Sequence, residues 1–298
     1  MFGSRLLLLA TGCFLAAIPG ASADENLFGY VKGAETLPKG SMEFYNFATL
    51  RSGKGQGKYV AVDTLHELEY GVSDSFSIDG AIKTMSIDTH GLLIDGYLPG
   101  PRKFNVHPSG IELGGKYNFL KPALDGIGFA TAFSLEYSWI DPHSGRDKNK
   151  LSANLEFLAQ KYFMEGRLIW VGNIGLESTY ADRSAIANLP AGFDWPTTPE
   201  MEIEVTVGTG LTYRFMPNWF FGVETQYQTE FETEVGQERW SVFVGPSLHY
   251  GSQKWWATLT WFPQVVGGKE MYAGQRNTSL HLIEKTKREI RLKVGINF

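Results

Sequence analysis

Glu289-Ile290-Arg291-Leu292-Lys293-Val294-Gly295-Ile296-Asn297-Phe298 is the last stretch of the sequence. Read in steps of two, Ile290, Leu292, Val294, Ile296 and Phe298 are apolar, and the residues between them are charged, polar or small. Strict period-two alternation over ten residues describes a β-strand with one oily face and one wet face. The same period recurs upstream as far as residue 41. It cuts the chain into about twelve segments of ~10 residues, the length a tilted strand needs to cross a bilayer.

Two segments show the pattern most clearly. In one, Phe129, Thr131, Phe133, Leu135, Tyr137 and Trp139 face one way, and Ala130, Ala132, Ser134, Glu136 and Ser138 the other. In the second, Ile203, Val205, Val207, Leu211, Tyr213 and Phe215 oppose Glu202, Glu204, Thr206, Thr212 and Arg214. Short connections at 71–74, 163–166, 216–218 and 251–253 alternate with longer ones at 51–58, 88–108, 141–150, 230–238 and 264–287. The stretch that holds Pro190, Pro196 and Pro199 is also a loop, because proline cannot supply a ladder N–H. The fold predicted is all-β: a transmembrane antiparallel β-barrel of about twelve strands (range ~10 to 14), with short periplasmic turns and longer extracellular loops. It occupies residues 41–298. A large soluble sandwich or propeller shares the alternation but leaves the short/long asymmetry and the aromatic strand ends unexplained.

The start of the chain reads as an export signal. Arg5 precedes an apolar run at 6–18, followed by Pro19-Gly20-Ala21-Ser22-Ala23. A basic start, a short apolar core and small residues at the end make 1–23 a signal peptide, cleaved after Ala23. The rival reading is a lipoprotein signal at Cys13. Residues 24–40 read as a periplasmic lead-in closed by Pro38. Cys13 is the single cysteine, so the mature chain has no disulfide and no thiol ligand for a metal. Removing Arg5 leaves 26 basic against 32 acidic side chains, a formal charge of −6. That balance excludes nucleic acid as a partner.

The closing strand resembles the C-terminal strand of Gram-negative outer-membrane barrels. There Ile290, Leu292, Val294, Ile296 and Phe298 correspond to the assembly signal read by the barrel-assembly machinery. Glu35-Thr36-Leu37-Pro38-Lys39-Gly40 and Leu68-Glu69-Tyr70-Gly71-Val72-Ser73-Asp74 resemble a little-characterised group of proteobacterial outer-membrane barrels. More loosely, they resemble the barrels associated with phenol-degradation pathways. The resemblance implies an outer-membrane location and an uptake role for small, apolar or aromatic compounds. It transfers no binding residue.

Alternation also assigns the inner wall. A lysine or arginine facing lipid at mid-depth costs ~2–4 kcal/mol, so the charged residues of the strands are predicted to face the lumen. The acids are Glu67, Glu69, Asp79, Glu112, Glu136, Glu156, Glu177, Glu202, Glu204 and Glu224. The bases are Lys83, Lys116, Arg167, Arg214, Arg291 and Lys293. They describe either a cation-favouring pore or a lattice of ion pairs filling a narrow barrel. Leu92, Leu93, Ile94, Tyr97 and Leu98 are too apolar for a free loop and are candidates for a constriction at the mouth.

His90, His107, His143 and His281 fall in loops, His249 faces inward, and His66 faces outward in the periplasmic half. No serine, histidine and acid converge by this reading, and no metal-ligand spacing is present. The function expected is therefore a passive channel or transporter for small solutes, with no cofactor and outer-membrane lipid around it. A structural or surface-interaction barrel with a filled lumen is the alternative, and an outer-membrane lipid hydrolase ranks third.

Overall fold

The computed structural model describes residues 26–232 and 236–298. The signal peptide predicted at 1–23 lies outside the described residues. Twelve strands follow in order: β1 Met42–Ser52, β2 Lys58–Ser73, β3 Phe76–His90, β4 Arg102–Leu120, β5 Gly128–Ile140, β6 Asp147–Phe163, β7 Leu168–Arg183, β8 Glu200–Met216, β9 Trp219–Glu232, β10 Gly236–Gly251, β11 Trp255–Lys269 and β12 Arg288–Asn297. One helical turn, α1 Pro122–Asp125, sits between β4 and β5.

Each strand pairs with its sequence neighbours, and β12 pairs antiparallel with β1 from Glu43↔Asn297 to Ser52↔Arg288. The sheet is therefore a closed barrel, which leaves no edge strand with unpaired backbone groups. The alternation of the closing stretch becomes the outer wall: Ile290, Leu292 and Ile296 are exposed, whereas Lys293 is buried. The same split runs round the barrel. Leu113, Leu135, Ile174 and Leu259 stand exposed, and Glu69, Lys116, Ser152 and Thr260 are buried on the inner side. Apolar outside and polar inside is the reverse of a water-soluble fold, and it is the pattern lipid demands of a barrel.

Several strands outrun the segments predicted for them. β4 has 19 residues, so the connection read as 88–108 shortens to 91–101. The stretch read as an acidic loop at 230–238 is mostly strand, because β9 continues to Glu232 and β10 begins at Gly236. Crossing needs only ~10 residues, and the excess stands above the apolar belt at the long-loop end. Pro108 is tolerated within β4 because its ladder runs with β3 alone there; pairing with β5 starts at Gly110.

The lead-in corrects the prediction most. The sequence places 24–40 outside the barrel, yet Leu27, Phe28, Val31 and Ala34 are buried within it. Phe28 and Val31 lie over inward-facing glycines. A Cβ on Gly210 would come within 2.8 Å of the Phe28 ring, and one on Gly208 within 2.6 Å of Val31. The segment leaves the barrel at the short-turn end, where the Gly40 N–H reaches the Gly71 carbonyl at 2.8 Å.

Candidate functional site

A segment that is not part of the sheet must find partners for every buried backbone group. Side chains of the inner wall supply them. The Glu224 carboxylate accepts the N–H groups of Gly29 and Tyr30 at 2.8 Å each and of Val31 at 3.1 Å. Asn173 accepts from the Lys32 N–H at 2.7 Å and donates to the Lys32 carbonyl at 2.9 Å. Gln160 accepts from Ala34 at 2.7 Å, Thr258 donates to the Asn26 carbonyl at 2.6 Å, and Arg291 donates to the Gly29 carbonyl at 3.1 Å. These contacts come from β6, β7, β9, β11 and β12, so the segment crosses the lumen from wall to wall. Tyr30 is held from both sides, stacked on Phe262 at 4.1 Å with the Arg291 guanidinium 3.9 Å above its ring.

A cavity of about 550 Å³ remains beside the segment. Twelve of the sixteen charged candidates line it: Glu67, Glu69, Asp79, Lys83, Glu112, Lys116, Glu136, Glu156, Glu177, Glu204, Arg291 and Lys293. Ion pairs join part of this wall. Lys83 lies 2.6 Å from Glu136, Lys150 lies 2.9 Å from Glu177, and Lys32 reaches from the inserted segment to Glu156 at 2.8 Å. Counted over the whole lining, eleven carboxylates face eight lysine and arginine side chains, which leaves a cation-favouring surplus.

The other four candidates stand elsewhere. Glu224 is buried beneath the inserted segment. Glu202 lies near the long loops, 3.9 Å from Lys148. Arg167 is in the turn after β6, its guanidinium over the ring of Tyr213 at 5.3 Å. Tyr213 belongs to the outward row with Leu211 and Phe215, so Arg167 does not serve the lumen. Arg214 adjoins that turn, its N–H on the Arg167 carbonyl at 2.7 Å. Alternation fails for Arg167 because a turn breaks the period.

Loops close the other end. Leu92, Ile94 and Leu98 are buried in one cluster with Tyr59, Met85, Ile87, Ile140 and Ile283. Tyr97 packs against that cluster, and its hydroxyl donates to Glu270 at 2.8 Å and also to Glu238. Leu93 alone of the five points away, 54 % exposed. The Gly55 N–H meets the Leu282 carbonyl at 3.1 Å, and Gly96 meets Asp194 at 2.7 Å, so four loops are tied together. Arg239 pairs with Glu230, Glu238 and Glu284 under this lid.

Lys54, fully buried, lies 3.1 Å from Nδ1 of His143 and 4.8 Å from the centre of the Tyr59 ring. Burial pushes both the Lys54 amine and the His143 imidazole well below their ordinary values. Sequence reading missed this pair because it joins loops 89 positions apart. It also missed the inserted segment, although apolar residues at 27, 28 and 31 and inward glycines at 208, 210 and 222 were a usable signal.

Barrel closure, the apolar outer belt and the charged lumen together define the bacterial outer-membrane β-barrel class. The chain belongs to the family of unknown function DUF6662, whose model matches residues 20–298. Among solved structures, it is similar to an outer membrane channel from Pseudomonas putida F1. The TM-score is 0.55 at 10 % identity, over 89 % of this chain and 98 % of that one. It is also similar to the β domain of the Bordetella autotransporter Brka, with a TM-score of 0.52 at 11 % identity over 87 % of this chain and 99 % of that one. At such identities the likeness is one of fold. No curated protein sequence matches the chain.

Proposed function

We propose that this protein is a narrow outer-membrane channel for small polar solutes, restricted by its own N-terminal segment and covered by its long loops. One observation carries the reading: a charged cavity of about 550 Å³ lies in the middle of the barrel, bounded by Gly29, Tyr30 and Lys32. A barrel that served only as a scaffold has no need of a large charged void, since packed interiors hold few spaces larger than a water molecule. The surplus of carboxylate favours cations. Tyr45, Phe47 and Tyr30 give part of the cavity aromatic flanks, which suits a planar or aromatic cation better than an apolar compound. The long loops are extracellular in this reading, the short turns are periplasmic, and β12 is the strand read by the assembly machinery.

The lid and the inserted segment favour a second reading, a filled structural barrel. Single-channel recording in a planar bilayer separates the two. The channel reading expects small cation-selective openings that grow severalfold when residues 26–36 are deleted. Correctly folded protein that stays silent with and without the segment overturns it.

A further inference from the structure

The outer wall carries a set of polar side chains that the lumen does not use. Alternation along β2 sets Thr64 and His66 in one row with Leu68 and Tyr70, both exposed, while Leu65, Glu67 and Glu69 are buried inside. Asn46 of β1 is directly opposite His66, and Thr84 of β3 is directly opposite Thr64. Pairing therefore brings four polar side chains from three strands onto one outward patch. The wall is one strand thick, and Thr64 and Thr84 also border the cavity.

The four are joined in a chain. Nδ1 of His66 is hydrogen-bonded to Oδ1 of Asn46. Nε2 of His66 lies 3.4 Å from Oγ1 of Thr64. Oγ1 of Thr64 is in turn hydrogen-bonded to Oγ1 of Thr84. An amide oxygen only accepts, so Nδ1 carries the imidazole proton and Nε2 is left as the base, facing a hydroxyl. A hydroxyl, an imidazole that can take its proton, and a third group that fixes the imidazole tautomer are the roles of a nucleophilic triad. The sequence alone predicts His66 in the periplasmic half and no converging serine, histidine and acid. In the structure the hydroxyl is that of a threonine and the third group is an amide.

The depth of the patch points to the substrate. On β3 the outward row runs Ile78, Gly80 and Ile82 and turns polar at Thr84, Ser86, Asp88 and His90, while on β2 it continues apolar past Thr64 at Val62 and Val60. The patch thus lies where the apolar row of β3 gives way to polar residues, within reach of the ester linkages between the acyl chains and polar heads of a membrane lipid. The β3–β4 ladder also slips twice here, between Lys83 and Thr84 and between Met85 and Ile87. Bulges of this kind recur beside active sites, where they re-aim side chains.

We infer that Thr64, His66 and Asn46 form an acyl-ester hydrolase site on the lipid-facing wall, separate from the channel. Oγ1 of Thr64 bonds to the ester carbonyl carbon while its proton passes to Nε2 of His66. The Thr84 hydroxyl, beside Oγ1, donates to the carbonyl oxygen as it gains charge. The carbon–oxygen bond to the glycerol or sugar oxygen of the lipid breaks, and His66 returns the proton to that oxygen. Water then attacks the acyl-threonine, gives its proton to Nε2, and releases the fatty acid with Thr64 regenerated. Thr64, His66 and Thr84 touch substrate; Asn46 is a positioning residue.

The test uses the refolded full chain in mixed micelles, with diacyl phosphatidylethanolamine in one arm and lipid A in the other. Free fatty acid is read by mass spectrometry, and a long-chain alkyl fluorophosphonate serves as the trap for the nucleophile. The site expects fatty-acid release in one arm, which identifies the source of the ester, and a phosphonate adduct on Thr64. Thr64→Val and His66→Gln should lower release by ~10² or more, and Thr64→Ser should keep it. Asn46→Ala should lower release and Asn46→Asp restore it with a shifted pH profile, which a purely structural role would not produce. Folded wild-type protein, shown by heat-modifiable electrophoretic mobility, that releases no fatty acid in either arm and takes no adduct overturns the proposal. So does release that survives both Thr64→Val and His66→Gln.

Discussion

Glu224 on β9 accepts the backbone N–H of Gly29 at 2.8 Å across 195 positions of sequence. Its second oxygen takes the N–H groups of Tyr30 and Val31, so one inward carboxylate latches the inserted segment to the wall. Glu224→Ala would leave three buried N–H groups without an acceptor, at ~1–3 kcal/mol for each unsatisfied group. The expected outcome is release of the segment, seen as larger single-channel conductance and new proteolytic cleavage between residues 26 and 36. Glu224→Gln keeps one acceptor oxygen and should fall between. Unchanged conductance and protection in the alanine variant would show that the segment does not restrict the channel.

The lid should loosen in acid. Burial pushes the His281 imidazole from its ordinary 6.5 down to about 3, and burial pushes His143 down as well. Through these two imidazoles the closed lid binds fewer protons than the open one, while the carboxyls of Glu270 and Glu230, raised by burial, pull the other way. The contribution of His281 to closure is full above pH 6.5 and is lost as pH falls from 6.5 toward 3, by up to ~10-fold per unit. Protease accessibility of the 270–287 loop, compared at pH 7.5 and pH 4.5, should rise in acid, and His281→Asn should reduce the difference. Equal accessibility at both pH values would show that the loop does not open by this route.

Leu135 stands in the middle of the outward row of β5, 59 % exposed. In a bilayer, Leu135→Arg should destabilise the barrel by ~2–4 kcal/mol, measured as a lower urea midpoint for the protein folded in vesicles. If the exposed belt faced water instead, the same change would cost little.

Phe298 and Met42 exchange two backbone hydrogen bonds, 3.0 Å from the Phe298 N–H and 2.9 Å from the Met42 N–H. They lie at the end of the seam where β12 closes on β1. Deleting Phe298 removes both bonds and an aromatic ring at the outer surface, and yield of folded barrel in the membrane fraction should drop. Normal yield would remove the assembly role given to the closing strand.

The barrel was legible because its information is local. A strand exposes alternate residues to opposite faces, so Phe133, Leu135 and Tyr137 declare the outer wall and Glu136 the inner one without reference to any other segment. The lining acids Glu67, Glu69, Asp79 and Glu112 followed from the same count. Arg167 did not, since the turn after Phe163 ends the period that would have placed it.

What the sequence by itself determined, then, is the strands, their inward and outward rows, and the alternation of short and long connections. Only the tertiary structure decided the rest. Glu224 with Gly29, Lys54 with His143, and Asn46 with His66 are partners across different elements, and no periodicity along the chain encodes which residue lies opposite which. Barrel closure fixed the register between strands. That register put an amide, an imidazole and a hydroxyl within hydrogen-bonding reach on the outer wall, while inward side chains from five strands, Glu224 among them, hold the apparent lead-in within the lumen.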